Sequence, residues 1–157
     1  MTVELHPLRV EDAEALWHFE IENRAWFERW VGPRPDSYWE LGSLRKVIEG
    51  QLADTDAMFL VWDGDTLQGR VNLTGIEQGV AQLGYRVGEA HVGRGAASTA
   101  VELVLDEARV LGLWAVEARV ALGNPASVRV LEKCGFRPNG MRQIGELDMQ
   151  LFRCDLG

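Results

Sequence analysis

Between Ala81 and Leu122 the 157-residue chain carries the pattern that most narrows its fold: strand, glycine loop, helix, strand. Ala81 to Val87 alternates apolar positions, and Trp114 to Leu122 reads as a second apolar strand. Between them, Ala96 to Leu111 places Ala97, Ala100, Val101, Val104, Leu105, Ala108 and Leu111 at helical spacing, and Gly112 is set to end the helix. Such a crossover returns its second strand parallel to the first, so the two strands are expected as parallel neighbours. The loop Val92-Gly93-Arg94-Gly95-Ala96-Ala97-Ser98 runs straight into the helix start. Unpaired N–H groups and the positive end of the helix dipole meet there, which suits a pyrophosphate without any fixed lysine.

Around this unit the chain reads as a mixed α/β fold built on a mostly antiparallel sheet. Leu5 to Arg9 is expected as the first strand and Glu11 to Glu22 as a helix with Ala13, Leu16 and Trp17 on one stripe. An aromatic stretch follows with Trp26, Phe27, Trp30, Tyr38 and Trp39, interrupted by Gly32-Pro33-Arg34-Pro35. The prolines place a turn before a second helical run from Ser37 to Ala53. Met58 to Trp62, Leu67 to Ile76 and Ala81 to Val87 form a meander with turns at Asp63-Gly64 and Gln78-Gly79. Pro125 to Lys133 reads as a short helix, and Phe136 to Met141 and Leu147 to Cys154 as two closing strands. The tryptophans of the first third are expected in the core.

At 157 residues and 46% hydrophobic content, the chain is expected to form one domain, residues 1–157. Its net charge of −8 weighs against nucleic acid as a partner, since phosphate backbones call for a clustered basic face. An acidic surface would draw a cationic acceptor, although solubility alone accounts for it. Met1 to Leu16 carries Glu4, Glu11, Asp12 and Glu14, unlike a secretory signal, and no apolar run reaches the length of a membrane span. Two cysteines, Cys134 and Cys154, fit a reducing compartment, so a cytoplasmic location is expected. No metal is expected, because no His, Cys and Asp spacing suits one.

Gly93-x-Gly95 also half-matches a dinucleotide-binding turn, but Ser98 stands where the third glycine would fall. The next segment decides between the two. Asn124-Pro125-Ala126-Ser127 through Leu131-Glu132-Lys133-Cys134-Gly135-Phe136 closely resembles the corresponding segment of the GNAT N-acetyltransferases. The resemblance runs from the first strand to the closing pair. It is strongest to the Rim-type branch, which includes ribosomal-protein-alanine N-acetyltransferases, on the segment Phe19 to Trp30 with its Asn23-Arg24 pair.

That resemblance implies a GNAT fold with about four helices and a parallel strand pair splayed around an acetyl-coenzyme A site. It assigns Gly93, Arg94, Gly95, Ala96, Ala97 and Ser98 to the pyrophosphate and Asn124 to the pantetheine arm. The fourth strand, at Tyr85, Arg86 and Val87, would lie along that arm, and Asn23 and Arg24 would serve the acceptor. Gly84 and Gly88 share one face of this strand and either leave room for a ligand or mark a bulge. A backbone N–H near Val87 would then act as oxyanion donor.

Two departures from the family pattern bear on the chemistry. Val92 opens the loop where Gln or Arg is frequent, and Arg94 offers compensation. Many members carry a tyrosine seven residues after the asparagine as general acid, and that position here is Leu131. The resemblance suggests Ser127 for the leaving thiolate, with helix capping as its alternative role. Glu20 lies on the apolar stripe of the first helix, four residues after Leu16, and is the candidate base; Glu77 and Glu117 are weaker ones, Glu117 being expected to pair with Arg119.

The expected reaction is direct acetyl transfer to a primary amine, because neither cysteine has a nucleophile's setting. A protein N-terminal α-amine suits a site without a strong base: at neutral pH roughly a tenth of such amines are neutral, against well under a thousandth of lysines. Small-molecule amines and a catalytically silent acyl-coenzyme A sensor are the alternatives. A monomer or homodimer, free of nucleic acid and membrane, is expected.

Overall fold

The computed structural model describes residues 2–31, 33–53 and 57–157, the side chains of Trp30 and Val31 aside. Its strands are β1 (Val3–Pro7), β2 (Ala57–Asp63), β3 (Thr66–Glu77), β4 (Val80–Val87), β5 (Ala115–Ala121), β6 (Arg137–Ile144) and β7 (Leu147–Asp155). The helices are α1 (Ala13–Glu22), α2 (Arg24–Val31), α3 (Leu41–Ala53), α4 (Ala96–Val110) and α5 (Pro125–Lys133). The strands make one sheet in the order β1-β2-β3-β4-β5-β7-β6. Only β4 and β5 are parallel; the other neighbours are antiparallel.

The sheet separates two apolar layers. On one face, Val71, Leu73, Ala81 and Leu83 pack against the stripe Ala100, Val101, Val104, Leu105 and Ala108 of α4. Burying a valine or leucine there is worth about 1.5–3 kcal/mol, which is why the helical periodicity is so regular. On the other face, Leu16, Phe19, Phe27 and Ile48 from α1, α2 and α3 cover Met58 and Leu60 of β2. α4 ends as expected: Gly112 takes φ 76°, and the Gly112 and Leu113 N–H groups donate to the Arg109 and Ala108 carbonyls at 3.0 and 3.1 Å.

Some boundaries move. The first strand stops at Pro7, because Arg9 is drawn into a turn in which its N–H and guanidinium both donate to Asp12, at 2.9 and 3.1 Å. Asp63 still pairs with Thr66, so the tight turn falls on Gly64-Asp65. Among the described residues five α-helices stand where about four helices were expected, because α2 forms separately after Asn23, whose side chain donates to the Phe19 carbonyl at 2.9 Å and ends α1. Gly32, within the expected proline turn, lies outside the described residues. Among the described residues, no helix is long and apolar enough to cross a membrane, and no group of metal-ligating side chains converges.

Candidate active site

The glycine loop delivers an open helix start. Gly93 and Gly95 adopt φ 77° and 81°, and a Cβ at either would meet nothing within 4 Å. Gly95 is the N-cap of α4 and no side chain caps it. The first intrahelical bond runs from the Thr99 N–H to the Gly95 carbonyl at 3.0 Å, so the N–H groups of Ala96, Ala97 and Ser98 have no partner within the helix. Arg94 is exposed beside them. This concave cluster of donors, at the positive end of a 15-residue helix, fits a diphosphate.

Next to the loop the sheet opens. β4 and β5 pair only at Val80↔Ala115, Ala81↔Val116 and Gln82↔Glu117, and then diverge. The edge of β4 from Gly84 to Val87 therefore has no strand facing it. The Gly88 N–H donates to the Gln68 carbonyl of β3 at 2.8 Å, so strand alternation turns the Val87 N–H the other way, into the gap. Gly84 pairs in register with Asn72 and a Cβ there would meet nothing, so it marks open space and not a bulge.

Across the gap stands α5. The Asn124 Oδ1 accepts the Ser127 N–H at 3.3 Å and Pro125 occupies the first turn, so Asn124 is the helix cap and the Ser127 hydroxyl is left for other work. That hydroxyl lies 2.6 Å from the Tyr85 hydroxyl of β4. Burial pushes the Tyr85 phenol above its ordinary range, with the Ser127 hydrogen bond opposing, so it stays protonated at neutral pH. Leu131, where a tyrosine acid is frequent in the resembled family, is fully buried in the core. Burial also pushes the Cys134 thiol up to about 11, which leaves no thiolate to act as nucleophile.

On the other side of β4 a cavity of about 350 Å³ opens between the sheet and helices α1 and α3. Its polar floor holds Glu20, Arg70 and Arg86. Glu20, only 7% exposed, sits 3.0 Å from Arg86 Nη1 and 3.9 Å from Arg70 Nη1. Arg70 Nη2 donates to Gln51 Oε1 at 3.1 Å. Trp17 and Trp39 stand in the cavity wall; Trp39 is also buried and so does both jobs, whereas Trp17, expected in the core, is only half-buried, and its Nε1 donates to the Trp39 carbonyl at 2.8 Å.

The structure thus brings Glu20, Tyr85 and Arg86 to one cavity and Ser127 to Tyr85. Asn23 and Arg24 do not line that cavity. Asn23 accepts the Glu89 N–H at 2.9 Å and so fastens α1 to the turn after β4, while Arg24 pairs with Glu28 and Asp36 at 3.2 and 2.9 Å. Glu117 pairs with its cross-strand neighbour Arg153 at 3.8 Å, not with Arg119, because the partner strand brings a guanidinium closer than its own strand does. Arg70 escaped the sequence reading. Its signal was the alternation Gln68, Arg70, Asn72 in a strand whose other face is apolar.

Residues 2–137 match the acetyltransferase (GNAT) domain family. The chain belongs to the GNAT acetyltransferase family. It is 37% identical over 150 residues to a probable N-acetyltransferase, YjcK, of Bacillus subtilis, covering 89% of this chain and 83% of that one. Its fold matches RimJ of Mycobacterium smegmatis, solved with coenzyme A-disulfide, at TM-score 0.89 and 23% identity over 98% of this chain and 81% of that one. It also matches a spermidine N-acetyltransferase of Vibrio cholerae, solved with coenzyme A and spermine, at TM-score 0.83 and 22% identity over 98% and 95%. This GNAT protein is an N-acetyltransferase with the mixed α/β sheet and single parallel pair that its sequence implied.

Proposed function

We propose that this enzyme moves an acetyl group from acetyl-coenzyme A to a primary amine, foremost the α-amine of a protein N-terminus, by direct attack in a complex holding both substrates. The observation that carries this reading is the gap between β4 and β5, flanked by the open start of α4 on one side and the Tyr85–Ser127 hydroxyl pair on the other. Acetyl-coenzyme A, when bound, supplies a thioester whose carbonyl carbon forms the new bond to nitrogen while its bond to sulfur breaks.

The chain's own groups then have distinct roles. The N–H groups of Gly93 to Ser98 hold the pyrophosphate, with Arg94 reaching in from the loop. Asn124 faces the pantetheine arm with the amide nitrogen that its capping oxygen leaves over. The Val87 N–H donates to the oxygen that gains negative charge, and Tyr85 and Arg86 border the arm. Ser127 donates to the departing sulfur and is resupplied by the Tyr85 phenol, which substitutes for the acid missing at Leu131. Glu20 holds the acceptor side of the cavity; with guanidinium nitrogens near both of its oxygens, it acts as a counter-ion that shapes the pocket. The proton lost by the amine leaves to water.

Two measurements test this reading. Acetyl-coenzyme A should raise Tm by mass action and NAD should not. Mass spectrometry over a panel of N-terminal peptides, lysine peptides and small amines should then show acetyl transfer to α-amines. A shift with NAD alone, or tight coenzyme binding with no acetylated amine, overturns it; the latter result is what a sensor gives.

A further inference from the structure

The cavity between β4, α1 and α3 carries more positive charge than it neutralises. Arg70 and Arg86 are directly opposite each other on β3 and β4, an arrangement that is unfavourable for like charges. Among the described residues Glu20 is the one carboxylate lining the cavity, so there two guanidinium groups share a single negative charge. Arg86 takes the nearer position, and Arg70 is left with a neutral partner, Gln51, and a distant oxygen of Glu20. Arg70 is 7% exposed, and its Nε is buried without a hydrogen-bond partner. Burial lowers its pKa, Glu20 opposing and Arg86 adding to the effect.

Two further polar atoms on residues lining the cavity are equally unmatched. Trp39, 6% exposed, buries an indole N–H with nothing to accept it, and Asn72 buries an Oδ1 with nothing to donate to it. Leaving such groups unpaired is destabilising, a cost that a ligand with matching atoms removes. The donors Arg70 Nε and Trp39 Nε1 call for an anionic acceptor. Tyr38, Leu44 and Val47 add an aromatic and aliphatic wall that suits an apolar body. A polyamine brings the opposite chemistry, since its remaining ammonium groups would face two guanidiniums. The surplus stands against a net charge of −8 for the whole chain, so the cavity is a local inversion of the protein's field.

We propose that the acceptor amine carries a carboxylate, which is seated on Arg70 in this cavity while the amine lies at the β4 edge beside Tyr85. This rests on the reading of the cavity as the acceptor side of an acetyltransferase. The carboxylate belongs either to a free amino acid or to an acidic side chain near a peptide N-terminus; both present the same anion to the same guanidinium.

Calorimetric titration of the full chain, saturated with coenzyme A, with 3-phenylpropionate and with its uncharged amide tests the anion site without any chemistry. The acid should bind about ten- to a hundredfold more tightly, the range expected of a charge-assisted hydrogen bond. Arg70→Gln should abolish the difference. Gln51→Glu should abolish it too, by placing a fixed carboxylate against the Arg70 Nη2 that Gln51 now contacts, and it keeps the fold testable if Arg70→Gln does not fold. Equal binding of acid and amide, or a preference that survives Gln51→Glu, overturns the proposal. Acetyl transfer then separates the sources: phenylalanine against phenylalaninamide, and peptides beginning Ser-Asp against Ser-Asn. Spermidine as the best acceptor also overturns it. If the acid binds as expected but no amine is acetylated, the acetyltransferase reading fails and the anion site stands.

Discussion

Replacing Glu20 with glutamine removes a carboxylate that contacts two guanidiniums while keeping the side chain's shape. Glu20 and Arg70 are both more than nine-tenths buried, and the Arg86 contact at 3.0 Å has hydrogen-bond geometry. Breaking a buried pair by deleting one charge typically costs about 3–5 kcal/mol, because the partner is left uncompensated. The neighbouring cavity lets water reach the arginines, and a glutamine oxygen still accepts one hydrogen bond, so the low end, about 3 kcal/mol, is the expected loss. For a chain of this size that corresponds to a fall in Tm of roughly 6–12 °C. Urea denaturation of Glu20→Gln, Arg86→Met and the double variant gives the coupling directly. The double variant should lose less than the sum of the singles, since it also removes the opposed positive charge. Coenzyme affinity should stay near that of the parent while acetyl transfer falls by a similar factor at every pH, since a counter-ion takes no proton from the amine. A loss below about 0.5 kcal/mol, the level of an exposed ion pair, would refute the idea that Glu20 holds the two arginines together.

Ser127→Ala should lower kcat by about one to two powers of ten with little change in coenzyme affinity, and Tyr85→Phe should lower it less; unchanged turnover in both would reduce the pair to a structural contact. Gly95→Val asks a β-branched residue to adopt φ 81° at the start of α4, so it should cost more than about 1 kcal/mol in stability and reduce the Tm gain from acetyl-coenzyme A. Leu131→Tyr should not restore an acid: the position is fully buried, and overpacking should destabilise by about 1–3 kcal/mol with no gain in turnover. Because the folded Cys134 thiol titrates near 11 against an ordinary 9.0, its contribution to stability is complete below pH 9 and is lost as pH rises towards 11; Cys134→Ser should flatten that part of the stability curve measured in urea.

The local signals in this sequence determined the secondary structure wherever one physical requirement dominated. The α4 stripe, the glycine that ends it and the Asn124-Pro125 start of α5 are set by residues within a few positions of one another, and the structure has them with ends shifted by at most a residue. The parallel pairing of β4 and β5 was also legible, because a crossover has essentially one handedness and one outcome. The point where those strands part is different. It depends on β5 staying paired with β7 along its whole length while β4 stays paired with β3, which no window of sequence contains. For the same reason Tyr85 and Ser127, 42 residues apart, could be named separately but not as a pair. Glu20 on an apolar stripe announced that something must compensate it, since a buried charge without a partner is costly. The sequence by itself could not say that the partners are two arginines on adjacent strands, because that follows from the register of β3 on β4 and from the packing of α1 against them. Covalent neighbours fix helices, caps and turns; charge balance in a cavity is a sum over elements distant in the chain, and only the packed structure sets its terms.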